Sequence, residues 1–299
     1  MPYLEPPTRP ASARFGLPNS KLPSDIDPSY FLVYIPGEPE RKRPQEVLDI
    51  ELHDLRDELD KPEGAGEVHE QVYKRGFAIA KHQSELVNKV GELDGAQAYL
   101  DETCELMKKY LGCSKVVQWN STVRRANEKQ AKTVERQQGP EKGFVPTTRI
   151  QPPAAHAHVD QDELWAPQVV RMAIGEDPSK FKRSMIVNIW RPLKGPVTGS
   201  PLCMLDFRTV NSADSSKQES QFGTGIQIHH NPSQKWWYIR HQMPDEIVVL
   251  LCYDSDQGKG GGALYAGHVA AEIDDSEGVA PNLVAPRESI EVRMVAVWD

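Results

Sequence analysis

The sequence predicts a mainly β protein with flanking α-helices, its core a double-stranded β-helix of the cupin-like jelly-roll type. Three observations lead there. Beyond residue 144 the chain carries about eight β-prone segments separated by turn formers, and eight strands suit a two-sheet jelly roll. Two of these, Met185 to Trp190 and Ile247 to Cys252, are nearly continuous apolar runs, a pattern that implies burial on both faces. The N-terminal half supplies helical periodicity that would cover the outer face of such a sheet.

Residues 1–28 hold seven of the 24 prolines and little periodicity, which predicts an extended or partly disordered N-terminal arm. "YFLVYI", Tyr30 to Ile35, is apolar and β-prone and reads as a strand. Residues 44–60 read as a helix, because Leu48, Leu52, Leu55 and Leu59 recur at spacings of four, three and four. "GFAIAKH" reads as a short strand, with Ser84 placed to cap the next segment. The strongest helix runs from about Gly95 to Leu111, and Gly112 stands where a C-terminal cap belongs. "SKVVQW" is the next strand. Residues 126–143 are polar, without a β pattern, and are a candidate lid. Strands are then expected near Phe144 to Ile150, around His158, and at Met185–Leu193, Pro201–Phe207, Trp236–Ile239, Glu246–Ser255, Ala263–Ala270 and Ser289–Trp298. The arm (1–28) is therefore joined to a single unit, residues 29–299, with a helical or mixed part (29–143) and a jelly-roll core (144–299).

Bulk properties exclude several classes of function. The 299 residues carry a formal net charge of -8, whereas nucleic-acid binding needs a concentrated basic surface. No run approaches the roughly 18 apolar residues of a membrane span, and the N-terminus has no apolar signal-peptide core. The four cysteines are scattered and form no CxxC, which argues against a zinc knuckle or a disulfide framework. The expectation is a reduced, cytoplasmic protein acting on a small molecule, free of nucleic acid and membrane. The oligomeric state stays open, a homodimer being one option.

The chemistry begins at "PPAAHAHVDQDE", residues 152–163, which sets His156, His158 and Asp160 on alternate positions. In a strand all three share a face. An HxD pair completed by a distant histidine forms the facial triad that suits Fe(II) and leaves open coordination positions. His229, His230, His241 and His268 are the candidates for the third ligand. His268, in "GGALYAGHVA", is favoured by its place on a strand with a glycine-rich approach. His229 and His230 fall in a turn-rich stretch and are expected at the surface, and His241 at a strand end. The plain alternative is that His158 and Asp160 merely hydrogen-bond each other.

A second pattern lies in "PRESIEVRMVAVWD". Arg287 and Ser289, two apart, would form a fork for a carboxylate. Arg287, Ser289, Glu291 and Arg293 share one strand face; Ile290, Val292, Met294 and Ala296 share the other. The structural alternative is a Glu291–Arg293 pair on a solvated edge.

HxD, a distal histidine and RxS, in that order on a β-rich C-terminal half, resemble the Fe(II)/2-oxoglutarate-dependent oxygenases. More narrowly, "RGFAIAKHQS", "NIWRPLKGPVTGSPLCMLD", "KWWYIRHQMPDEIVVLLCYDSD" and "PRESIEVRMVAVW" resemble the fungal gibberellin-desaturase-like and asaB-type hydroxylase/desaturase family, from about residue 28 to 299. After the distal histidine this chain has "HVAAEIDD" where the family resembles "HTSFDDP", so the pocket there differs. The resemblance implies Fe(II) on His158, Asp160 and His268, and 2-oxoglutarate on Arg287 and Ser289, with Arg293 as second choice. It implies O2 as cosubstrate, and hydroxylation, desaturation or another oxidation of a small natural product. Asn188 and Trp190 share a strand face expected to line the pocket, Asn188 near the cosubstrate or substrate and Trp190 near the substrate, the alternative for Trp190 being core packing. His156, at the mouth, and Trp237 are further pocket candidates, the favoured alternative for His156 being a surface residue or a hydrogen-bond donor behind the metal ligands. The rival functions are an iron oxidase of the same fold that uses no 2-oxoglutarate, a non-catalytic jelly-roll binding protein and, more weakly, a zinc hydrolase. "GKGGGA" at Gly258 mimics a dinucleotide fingerprint, but no helix comes after it to make one.

Overall fold

A computed structural model of the chain describes residues 8–61, 66–90, 93–126, 132–135, 147–220, 223–256 and 258–299. Their elements, in order, are β1 (Thr8–Gly16), β2 (Gln45–Asp54), α1 (Arg56–Leu59), α2 (Val68–Arg75), β3 (Phe77–Lys81), α3 (Leu93–Leu111), β4 (Lys115–Arg125), β5 (Lys132–Glu135), β6 (Thr147–Gln151), β7 (His158–Val159) and α4 (Ala166–Ile174). The chain continues with β8 (Arg183–Pro192), β9 (Leu202–Leu205), β10 (Ser215–Ser220), β11 (Gly223–Ile228), β12 (Trp236–Tyr238), β13 (Glu246–Asp254), β14 (His268–Ala270) and β15 (Glu288–Trp298). The strands form an eight-stranded sheet, β1-β2-β12-β9-β14-β7-β11-β10, and a seven-stranded sheet, β3-β13-β8-β15-β4-β6-β5. The expected fold class, mainly β with flanking helices and a jelly-roll core, is the one observed.

The seven-stranded sheet is built on the apolar runs. Every residue from Ser184 to Pro192 of β8 is buried, as is every residue of β13 from Glu246 to Cys252. On one face Val187, Ile189, Val249, Ile290, Val292 and Met294 form a core with Val72 of α2 and Tyr99, Leu100 and Met107 of α3. α3 ends as expected, with Gly112 at φ +61° and its amide donating to Lys108 O. The other face of this sheet is turned toward the eight-stranded sheet and is where the polar residues gather.

Several local expectations are overturned. Residues 45–54 are a strand, not a helix, and only Arg56–Leu59 is helical. Leu48, Ile50 and Leu52 also alternate at period two, and Ile50 and Leu52 are buried while Val47, Asp49 and Glu51 are exposed. Pairing of β2 with β1 along its whole length, and with β12 at its end, selects the strand. β1 itself arises from the alternation of Ala11, Ala13 and Phe15, all buried, with Pro10, Ser12 and Arg14. Tyr30–Ile35 is not a strand. Pro28 opens a 3-10 turn that ends at Leu32, and the Asp27 carboxylate accepts from the Ser29 amide. Tyr30, Leu32, Val33 and Ile35 are left exposed. Near residue 266 the chain becomes a strand only at His268. Of the candidate lid, residues 127–131 and 136–143 lie outside the described residues; Lys132–Glu135 form β5, which pairs with β6.

α4 anchors the HxD segment. The Asp162 carboxylate accepts from the Leu164 and Trp165 amides, and Gly175, at φ +80°, closes the helix with a bond to Arg171 O. The helix buries Val169, Val170 and Ile174, each of which contributes about 1.5–3 kcal/mol of apolar burial. Gly225 of β11 lets that strand lie close on β7, since a Cβ there would meet Val159 O at 3.0 Å and Asp160 O at 3.2 Å. No described helix is long and apolar enough to cross a membrane.

Candidate active site

Strand register brings the first two histidines together. His268 of β14 stands directly opposite His158 of β7, and directly opposed residues share a face. The same row continues through Met204 and Trp237 on one side and Gln227 on the other. The His158 and His268 ring centroids are 4.4 Å apart. With Asp160, their ligating atoms all lie within 4.8 Å of one another. The three residues picked as the triad are thus neighbours in space.

Each imidazole is oriented to offer Nε2. His158 Nδ1 donates to His156 O at 2.8 Å and His268 Nδ1 donates to Ala266 O at 3.1 Å. A backbone carbonyl on one ring nitrogen leaves the lone pair of the other for a metal. Burial, reinforced by His268 and His156, holds His158 well below its ordinary pKa, so the ring is neutral and able to ligate. The plain alternative for HxD fails on distance: His158 Nε2 is 3.7 Å from Asp160 Oδ1, too far for a hydrogen bond.

Asp160 is instead held from the opposite sheet. Arg293 Nη2 donates to Asp160 Oδ1 at 2.9 Å, and Asn188 Nδ2 donates to Oδ2 at 2.8 Å. Burial alone would raise this carboxyl, but Arg293, then His158 and His268, pull it below the usual carboxylate range. Arg293 also donates through Nε to Glu291 Oε1 at 2.8 Å. Burial works against its charge, and the Asp160 and Glu291 carboxylates outweigh that, so its pKa is raised. The Glu291–Arg293 pair exists, but it is buried on an inner strand rather than solvated on an edge.

Arg287 is placed differently. It is 5% exposed and its Nη1 donates to Ser200 O. Its guanidinium carbon lies 5.6 Å from the Trp190 ring centroid. Its Nε, and the Oγ of Ser289 two residues on, are buried without a hydrogen-bond partner. Asn188 Oδ1 and Thr122 Oγ1 are buried and unpartnered as well. Burial, aided by Arg124, pushes the Arg287 pKa down to about 9. Arg287, Trp190, Glu291, His158 and His268 line one narrow cavity. A buried cation with an unused donor, lining the same cavity as His158 and His268, and a buried hydroxyl two residues on without a partner fit an anion held at the arginine.

The remaining candidates scatter. Trp190 is buried and lines the cavity. Trp237 is part-buried, in the cross-strand row, and stacks on His53 at 4.8 Å. His156, part-buried, lies 4.9 Å from His158 by ring centroids, and burial, with Arg124, lowers its pKa to about 4. His229 is buried, contrary to expectation: its Nδ1 donates to Gly16 O, so the N-terminal strand covers it. His230 packs edge-on against Phe15. His241 sits in a turn at φ +51° and donates from Nε2 to Asp275 O. Arg124 and Gln227 went unnoticed in the sequence. Both reach the site by cross-strand register, for which a single sequence carries no signal.

Comparison with known proteins bears on this arrangement. A family model described as "Oxidoreductase/YMDC permease-like domain" matches residues 20–297. The chain belongs to this family. Among curated proteins of similar sequence, Aspirochlorine biosynthesis protein N of Aspergillus oryzae is 31% identical over 156 residues, 50% of this chain and 63% of that protein. Hydroxylase/desaturase efuI of Hormonema carpetanum is 27% identical over 246 residues, 76% of this chain and 78% of that protein. The Fe(II)/2-oxoglutarate-dependent dioxygenase nvfI of Aspergillus novofumigatus is 26% identical over 203 residues, 65% of this chain and 64% of that protein. The solved structure of the iron and alpha-ketoglutarate-dependent endoperoxidase NvfI superposes with a TM-score of 0.72, covering 97% of this chain and 98% of that one at 22% identity. That superposition establishes the fold, and the resemblance read from the HxD, RxS and "NIWRPL" segments stands.

Proposed function

We propose that this family member is a non-haem Fe(II)/2-oxoglutarate-dependent oxygenase that oxidises a small natural-product molecule. The observation that carries the reading is a His-Asp-His cluster, ligating atoms within 4.8 Å, whose two histidines line one cavity with Arg287, the Arg287 Nε and the Oγ of nearby Ser289 being buried without a partner. The relatives whose names specify hydroxylase/desaturase or Fe(II)/2-oxoglutarate-dependent dioxygenase activity support it. Two imidazoles and one carboxylate make a donor set suited to Fe(II).

His158, Asp160 and His268 would hold the metal. Arg287 and Ser289 would hold the far carboxylate of 2-oxoglutarate. Arg293 and Asn188 take a role other than cosubstrate binding: they fix the Asp160 carboxylate and keep it charged. Trp190 walls the cavity and excludes water beside Arg287. His156 and Trp237, flanking the cluster, belong to the substrate side. When bound, Fe(II) with 2-oxoglutarate and O2 supplies an oxidant, coupling decarboxylation of the oxoacid to succinate with oxidation of a substrate C–H bond. The chain's own contribution is to orient, neutralise charge and exclude water. Residues 29–299 act as one oxygenase unit, with 1–28 as its N-terminal segment. The four cysteines, all free, suit a reducing compartment such as the cytoplasm.

The test is succinate formation from 2-oxoglutarate by the purified, Fe(II)-reconstituted protein, set against the His158→Ala variant. Succinate formed by the wild type alone is expected. Product formed from a substrate with no succinate would assign the fold to an oxidase that draws its electrons elsewhere.

A further inference from the structure

Arg124 of β4 is the buried cation that the proposed chemistry leaves without a task. It stands directly opposite Ser289 in the β4–β15 register, so the two side chains share the inner face. It is 8% exposed and lines the same cavity as Arg287, Trp190, His158 and His268. One nitrogen, Nη1, is tethered to Pro152 O at 2.9 Å, much as Arg287 is tethered to Ser200 O. Among the described residues neither guanidinium has a carboxylate at ion-pair distance. The one acidic residue lining the cavity, Glu291, is committed to Arg293 at 2.8 Å and, more distantly, to Asn188 at 3.4 Å. Two buried cations lining one cavity without a carboxylate partner are costly unless an anion meets both.

We infer that Arg124 is a second cationic arm of the oxoacid site, sharing with Arg287 and Ser289 the far carboxylate of the cosubstrate and setting its preference for a dicarboxylic over a monocarboxylic 2-oxoacid. This rests on the oxygenase reading and adds a specificity-determining residue to it. A tether for Pro152 alone, or a partner for a carboxylate on the substrate, would make different demands. The first needs no effect on oxoacid binding, and the second leaves oxoacid choice untouched.

The experiment is calorimetric titration of the Mn(II)-loaded, full-length protein with 2-oxoglutarate and with 2-oxopentanoate, whose far end is a methyl group. Arg124→Gln should weaken 2-oxoglutarate binding by about 30-fold, in the range of a lost charged hydrogen bond. It should move 2-oxopentanoate by less than about threefold, so that discrimination between the two shrinks in proportion. Mn(II) affinity without oxoacid should stay within about threefold. Arg124→Lys, which keeps the charge and loses the fork, should fall between the wild type and Arg124→Gln. The inference is overturned if both oxoacids weaken equally, or if 2-oxoglutarate affinity stays within about threefold of wild type. Should Arg124→Gln fail to hold Mn(II), Arg124→Lys decides by the same comparison. A wild-type protein that binds Mn(II) but no 2-oxoglutarate would instead overturn the oxygenase reading beneath it.

Discussion

Arg287, immediately before β15, and Arg293 within it lie six residues apart, and both are buried. At the Arg293 end the cation is fully paired: two carboxylates, Asp160 and Glu291, accept its hydrogen bonds. At the Arg287 end no described carboxylate answers, a nitrogen and the neighbouring hydroxyl are unpartnered, and a second guanidinium, Arg124, faces the same space. One short stretch of chain thus carries a finished ion-pair network and an unfinished one. The finished network positions a metal ligand. The unfinished one is electrostatically complete only with an anion bound, and binding there is expected to stabilise the fold.

That contrast can be broken by substitution, and the largest effect is expected at the cluster between the two ends. Loss of an outer partner of a metal ligand costs about 10–100-fold in affinity. His268→Ala removes a ligand outright and should weaken Mn(II) binding by more than about 100-fold, read by equilibrium dialysis. The two arginines should then separate by kind of effect. Arg293→Ala leaves Asp160 and Glu291 buried without their cation and should cost about 3–5 kcal/mol of stability in urea unfolding. Arg287→Ala should leave the stability of the oxoacid-free protein nearly unchanged while weakening 2-oxoglutarate by about 10–100-fold. The reverse assignment would mean that the cosubstrate arginine had been misidentified. Ser289→Ala is a smaller probe of the same end. Its Oγ has no partner to lose, so stability should shift by less than about 1 kcal/mol, whereas 2-oxoglutarate binding should fall by about fivefold.

The smallest expected effect tests whether the N-terminal strand over His229 is part of the fold. His229, buried under Gly16, is held below its ordinary pKa, first by burial. The unfolded chain takes up a proton near about pH 6.5, and the folded chain only at lower pH. Stability supplied by neutral His229 is therefore present above about pH 6.5 and is lost as pH falls toward its folded value. His229→Gln should flatten the decline in unfolding free energy between about pH 7 and pH 5. An unchanged slope would place His229 in water and the N-terminal strand elsewhere.

How much of this was legible in the sequence divides along physical lines. The His158–Asp160 and Arg287–Ser289 pairs could be proposed from the sequence because a spacing of two marks one face of a strand, although β7 ends at Val159 and β15 begins at Glu288. The buried strands β8 and β13 were readable for a different reason, since continuous apolar runs mark burial on both faces. Arg124 was not, because it faces Ser289 only through the β4–β15 register, and pairing between distant strands leaves no local trace. Nor was β2, where Leu48, Leu52, Leu55 and Leu59 satisfy helical spacing and Leu48, Ile50 and Leu52 equally satisfy alternation; pairing with β1 and β12 decides. Tyr30–Ile35 misled because β propensity says little without a partner, and Pro28 with Asp27 had a local turn to offer.

One measurement tests the central claim most directly: anaerobic addition of Fe(II) and then 2-oxoglutarate to the purified protein, monitored by visible absorption. We expect a weak, saturable charge-transfer band that needs both additions, and that the Arg287→Ala protein develops only at far higher oxoacid concentration. Fe(II) bound with no band at any 2-oxoglutarate concentration would contradict a cavity built to chelate the oxoacid on the metal while gripping its far end.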